Sequence, residues 1–255
     1  FGLAYLEFGS CLFTMNGGTF VANEADNVRL NLHNNANDNG GEVTVTINGG
    51  SFVRSREYAD TFFGGSKVEK IVLNGGSFEV YNFEVSRSGR GKRILELNGG
   101  TLIASRAIAA SFEPIKVGGE VTFAQRYKYD ADNKQFKIEP AVSGTGKIIQ
   151  SGTACLWLND VSGFAGDFAV TGGSLAFTGD TAFNAASALS VAKGATVALN
   201  YTGSKAVQAL TLGGKLAHKD CGYGAAARGM SYFEGAGSLI PMTGSDIPGI
   251  IFLVR

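Results

Sequence analysis

The sequence predicts an all-β protein, a right-handed parallel β-helix, on three observations. An Asn-Gly-Gly unit between apolar residues recurs as Met15-Asn16-Gly17-Gly18-Thr19-Phe20, Ile47-Asn48-Gly49-Gly50-Ser51-Phe52, Leu73-Asn74-Gly75-Gly76-Ser77-Phe78 and Leu97-Asn98-Gly99-Gly100-Thr101-Leu102. These copies are separated by 32, 26 and 24 residues, and self-similarity at such a period marks a solenoid. Glycine supplies 37 of 255 residues, well above its usual share of about 7%, with no strict triplet period.

Each unit reads as strand, sharp corner, strand. Val43, Val45 and Ile47 alternate with Thr44 and Thr46, the period of a β-strand. Asn and Gly tolerate the positive φ that a corner needs. For any one copy, Asn-Gly between alternating runs is also a hairpin signal. Recurrence favours the solenoid, because independent hairpins have no reason to keep one register. Weaker echoes follow at Val117-Gly118-Gly119-Glu120-Val121, Thr171-Gly172-Gly173-Ser174-Leu175 and Leu212-Gly213-Gly214-Lys215-Leu216. If all seven are equivalent, Phe20, Phe52, Phe78, Leu102, Val121, Leu175 and Leu216 form one inward column. Asn16, Asn48, Asn74 and Asn98 then stack as an amide ladder.

In chain order, residues 1–13 are apolar and aromatic and read as the first strand or strands. Residues 31–41, Asn31-Leu32-His33-Asn34-Asn35-Ala36-Asn37-Asp38-Asn39-Gly40-Gly41, form a polar loop that explains the longest spacing. One His and one carboxylate there, His33 and Asp38, make a weak metal pair. The next insertion holds Arg54, Arg56, Tyr58, Phe62 and Phe63, and 56–63 and 103–110 are expected to form at most short turns. Arg87-Ser88-Gly89-Arg90-Gly91-Lys92-Arg93 reads as an exposed basic corner; it lacks the Ser or Thr after Lys that a phosphate loop requires. Residues 126–139 read as a hairpin with Asp130-Ala131-Asp132-Asn133 at its tip, without the Gly and distant Glu of an EF-hand.

From residue 140 the texture changes. Residues 1–139 hold 15 basic and 16 acidic side chains, whereas 140–255 hold 7 and 6. Two regions are therefore expected, 1–139 with Asn-Gly-Gly coils and long loops, and 140–255 continuing the same solenoid. The apolar tail 250–254 is expected to act as a last strand, cap or docking strand.

Residues 142–177 resemble the autotransporter-associated β-strand repeat, also called passenger-associated. The resemblance lies in Gly144-Thr145-Gly146, Lys147-Ile148, Ser151-Gly152, Leu156-Trp157-Leu158, Gly163-Phe164-Ala165-Gly166, Val170 and Gly172-Gly173-Ser174-Leu175. A companion stretch runs through Ala188-Leu189-Ser190-Val191, Gly194-Ala195-Thr196-Val197, Leu210-Thr211-Leu212-Gly213-Gly214 and Gly235-Ala236-Gly237-Ser238-Leu239. The resemblance implies a pertactin-like β-helix passenger, secreted or on the outer surface of a Gram-negative-type bacterium. It transfers no catalytic residues.

The formal net charge is zero, from 22 basic and 22 acidic side chains, so no polybasic field points to nucleic acid. No apolar run approaches the roughly 18 residues of a membrane helix. Cys11, Cys155 and Cys221 are scattered and read as buried thiols, with a Cys11–Cys155 or Cys155–Cys221 bridge as the alternative. No Gly-x-Ser-x-Gly elbow or His-Glu-x-x-His helix occurs, and His33 and His218 are far apart. Glu79, Glu96 and Glu120 fall at differing offsets from their Gly-Gly pairs and form no evident ladder. The expectation is a non-enzymatic structural or adhesive module with no cofactor or metal. It would present loops to host protein or glycan and self-associate end to end into fibres. A carbohydrate-active β-helix, lyase or hydrolase, is the alternative.

Overall fold

A computed structural model describes residues 11–22, 40–54, 61–63, 66–80, 83–85, 91–104, 107–124, 135–178, 184–228 and 230–245. Among them there is no α-helix, only a 3-10 turn at Met230–Tyr232. The strands form two sheets of 13 and 12 strands, joined almost wholly by parallel pairing. The chain alternates between the sheets, so each rung lies on the one before: a parallel β-solenoid.

The Asn-Gly-Gly unit is the corner from first to second sheet. Gly40–Ile47 runs in the first sheet and Ser51–Arg54 in the second; Ser66–Leu73 and Ser77–Glu79 repeat the arrangement, then Lys92–Leu97 and Gly100–Ile103. Gly50, Gly76 and Gly100 have φ of 81°, 71° and 86°, a region closed to most side chains. A Cβ at Gly76 would also run into the Gly50 carbonyl oxygen of the rung below. Glycine is required there for two reasons, handedness of the turn and closeness of the next rung.

Inside, the alternation of each strand turns one residue in two toward the axis. Ile47, Leu73, Leu97 and Val117 stack in the first sheet, all fully buried. In the second sheet the register joins Phe20, Phe52, Phe78, Leu102 and Phe123. Ring centroids lie 4.9 Å apart for Phe20–Phe52 and 5.2 Å for Phe52–Phe78. This burial is the main stabilising term of the fold.

The first sheet has a second flank. Thr61–Phe63, Phe83–Val85 and Ala107–Ile108 are short strands that pair successively and end on the N-terminal part of Gln135–Gly144. Segments 56–63 and 103–110 thus contribute strand residues, not turns alone. Ile115–Val117 pairs with the C-terminal part of Gln135–Gly144, so that one strand serves both flanks. Its register shifts between Ile138 and Ala141 mark the bend. Pro140 sits within the shift, where a missing N–H donor is tolerated. The parallel stacking passes through residue 140 without a break, into Lys147–Gln150 and Cys155–Phe164.

The weaker echoes are not equivalent to the strong copies. At Val117-Gly118-Gly119-Glu120, pairing of Val117 with Leu97 and of Val121 with Gly100 leaves one more residue in the corner, and Phe123 takes the column position expected of Val121. Gly172-Gly173 turns the opposite corner, from Asp167–Val170 of the second sheet to Ser174–Thr178 of the first. Leu175 therefore stacks between Leu156 and Val197, in the other sheet. Gly213-Gly214 makes an antiparallel hairpin with Thr211 opposite Leu216 and φ of 56° and 80°, as a two-residue primed turn requires. Leu216 is exposed. Gly-Gly permits any sharp turn, and only the neighbouring rung decides which one forms.

Near the C-terminal end, Tyr223–Gly224 pairs antiparallel with Ser238–Thr243. That reversed strand covers part of the last described second-sheet edge. Residues 11–13 of the expected first strands lie in the strand Cys11–Met15, whereas residues 1–10 and 246–255, with the expected tail, lie outside the described residues.

Candidate functional site

The two corners of the coil differ in what they carry. The Asn-Gly-Gly corner is short and closed by its own ladder. Asn48 Nδ2 donates to Asn16 Oδ1 at 2.8 Å, Asn74 to Asn48 at 2.8 Å and Asn98 to Asn74 at 2.9 Å. The expected amide ladder is formed. The other crossing, from second sheet back to first, takes the insertions of the N-terminal half. In the sequence, segments 23–39, 55–60, 81–82, 86–90, 105–106 and 125–134 all lie between the end of a second-sheet strand and the next Asn-Gly-Gly strand, the Ile115–Val117 strand or the Gln135–Gly144 strand. In the C-terminal half the same crossing is compact at residues 151–154, 171–173 and 192–195 and long again at 213–232, which holds the Gly213-Gly214 hairpin, Tyr223–Gly224 and the 3-10 turn. Insertion is thus confined to one edge of the coil in the N-terminal half, which makes that edge the candidate site.

Most side chains singled out in the sequence fall within these segments of the chain. His33, Asp38, Arg56, Tyr58, Arg87, Arg90, Asp130 and Asp132 lie outside the described residues, as do the side chains of Arg54, Phe62 and Phe63. Arg93 corrects the expected basic corner. It belongs to Lys92–Leu97, faces the interior and is 4% exposed, with Nε 3.5 Å from Oε2 of fully buried Glu69. The alternation Arg93, Leu95, Leu97 carries that information in the sequence, because position 93 shares the phase of the apolar residues.

The carboxylates face different sides. Glu96 is on the outer surface of the first sheet, 2.8 Å from Lys70 Nζ and 3.7 Å from Lys116 Nζ. Glu120 lies on the second sheet, 3.1 Å from Lys147 Nζ, and Asp167 follows Lys147 in register. Asp167 Oδ1 accepts the Ala188 N–H at 3.0 Å. These outer ion pairs run from rung to rung, and being partly or fully exposed to solvent each adds little to stability. Glu79, in the second sheet, is 2% exposed. Among the described residues, no three His, Cys, Asp or Glu side chains are grouped to hold a metal.

The outer surface of the second sheet carries hydroxyls beside the amide ladder. Thr19, Ser51, Ser77, Thr101 and Thr122 are aligned by the pairing register, and Ser77 Oγ donates to Ser51 Oγ at 2.9 Å. Two arrangements went unread because only register brings their members together. Lys137 Nζ lies 5.1 Å from the centroid of Trp157, its neighbour on the adjoining strand. Ser245 Oγ and His218 Nδ1 are 3.0 Å apart, and the His218 N–H donates to Tyr223 Oη at 2.8 Å.

Cys155 and Cys221 are thiols and not joined by a disulfide, so that alternative is not formed. The Cys11 side chain lies outside the described residues. Burial pushes the Cys155 thiol pKa up; a hydrogen bond with Ser174 lowers it in part, and the Glu234 charge raises it further. Burial likewise raises the Tyr201 phenol above its ordinary value, and its hydroxyl donates to the Ser238 carbonyl at 3.0 Å. No helix among the described residues is long and apolar enough to cross a membrane.

No protein-family model matches the chain, and neither a curated protein nor a solved structure matches it.

Proposed function

We propose that the chain is a structural, adhesive β-solenoid module of an extracellular or outer cell surface, displaying one edge of insertions to a host protein or glycan. The observation that supports it is the confinement of the N-terminal insertions to a single corner while the amide ladder closes the opposite one. A stiff stacked core holds such segments at fixed spacing, the arrangement by which rigid scaffolds present binding loops. The autotransporter-type resemblance of residues 142–240 supplies the cellular setting. End-to-end self-association belongs to the same reading. The terminal rung of a stacked coil offers unpaired backbone groups, and such an edge recruits another strand.

The test replaces segment 23–39, and separately 125–134, by a compact crossing copied from residues 151–154. Binding to epithelial cells and to a panel of immobilised glycans is then compared with the parent. Loss of binding at unchanged circular dichroism supports the proposal; undiminished binding by both variants contradicts it. On this reading the protein releases no reducing sugar or unsaturated uronide from polygalacturonate, alginate or xylan. Release that disappears on changing one carboxylate would favour the carbohydrate-active alternative.

A further inference from the structure

The buried Glu69–Arg93 pair stands apart from an otherwise apolar column, and its place in the repeat suggests a purpose. Three consecutive rungs are nearly interchangeable where they face the core. Val43, Val45, Ile47 and Phe52 of one correspond to Glu69, Ile71, Leu73 and Phe78 of the next, and to Arg93, Leu95, Leu97 and Leu102 of the third. Each carries the same Asn-Gly-Gly corner. Neither the apolar column nor the amide ladder tells these rungs apart, so neither forbids stacking them in another order. The first inward position does: it is Val, then Glu, then Arg.

Glu69 and Arg93 are direct partners in the register, are 0% and 4% exposed, and approach to 3.5 Å. We infer that this pair keeps the 69–78 and 93–102 rungs adjacent, because any stacking that separates them sets each buried charge against an apolar or like-charged neighbour. If the 93–102 rung lay directly on the 43–52 rung, Arg93 would sit beside Val43. Two 69–78 rungs, from two copies of the chain, would place Glu beside Glu. Burying a charge without its partner is strongly unfavourable, because nothing then offsets the lost hydration. The pair thereby acts as a polar specificity element, comparable to a buried polar residue that sets register in a coiled coil.

The experiment reads rung order directly in the full chain. Thr44 and Ile94 lie on the outer side of the first sheet, each in register with Lys70, hence two rungs apart. At about 4.8 Å per strand that separation is about 10 Å, beyond the reach of a disulfide. Chains carrying Thr44→Cys and Ile94→Cys are refolded from denaturant, oxidised and mapped by peptide mass spectrometry. With Glu69 and Arg93 intact, the 44–94 bond is expected to stay at background. With Glu69→Leu and Arg93→Met added, it is expected to rise at least tenfold, within or between chains. The exchanged pair Glu69→Arg with Arg93→Glu is expected to return it to background. Background bond in a folded apolar variant overturns the inference. If that variant does not fold, the exchanged pair decides: background bond there with a raised yield in Glu69→Arg alone supports the inference, and equal yields in the two overturn it.

Discussion

Phe52 has a fully buried ring between Phe20 and Phe78. Truncating it leaves a hole that rings held from both sides fill only partly. Phe52→Ala is therefore expected to lower stability by about 3–5 kcal/mol, measured by denaturant unfolding. Tyr201 makes a pH-dependent contribution. Its folded pKa is raised by burial, whereas in the unfolded chain it titrates near its ordinary value of about 10. The unfolded state then loses its proton first, so this contribution is intact below pH 10 and declines above it. Tyr201→Phe loses the bond to the Ser238 carbonyl, about 1 kcal/mol at neutral pH, and also loses that alkaline decline. The stability gap between parent and variant is expected to narrow between pH 9 and pH 11. At this scale the sequence discloses its apolar column well, because Phe20, Phe52 and Phe78 follow identical corners. It hides Arg93, whose charge suggests a surface and whose phase alone places it inside.

The Asn-Gly-Gly corner is the element that gives the N-terminal half its regularity. Its amides form one line, so an interior member has two amide partners and the Asn16 end has one described partner. Removing Asn74 breaks the bonds to both Asn48 and Asn98, and Asn16→Ala breaks only that to Asn48. With about 0.5–1.5 kcal/mol for a typical bond, and the lower end apt for exposed amides, Asn74→Ala is expected to cost about twice as much as Asn16→Ala. Equal losses in unfolding midpoint would show that the ladder does not act as a unit. The strong corners are legible because Asn, two Gly and a hydroxyl residue occur together at one spacing. The later Gly-Gly pairs lack the Asn, and they become a longer corner, the opposite corner and a hairpin. Local chemistry specifies that the chain turns; the stacked neighbour specifies where it goes.

For the whole molecule, the central claim is a continuous parallel stack in which each rung advances the chain by one strand spacing. Confinement of the N-terminal insertions to one corner was not legible, because loop segments are visible in sequence while the side from which they leave depends on the coil. Electron spin–spin distances between nitroxide labels on the outer side of the second sheet test the claim most directly. Ser51, Ser77, Thr101, Thr122, Ile149, Ala169 and Ser190 occupy successive in-register positions. At about 4.8 Å per rung, labels at 51 and 190 are expected about 29 Å apart and labels at 77 and 190 about 24 Å apart, with narrow distributions. A step of about one strand spacing on moving the label from 51 to 77 is the predicted result. Equal distances for the two pairs, or broad distributions with no such step, would contradict the stacked solenoid.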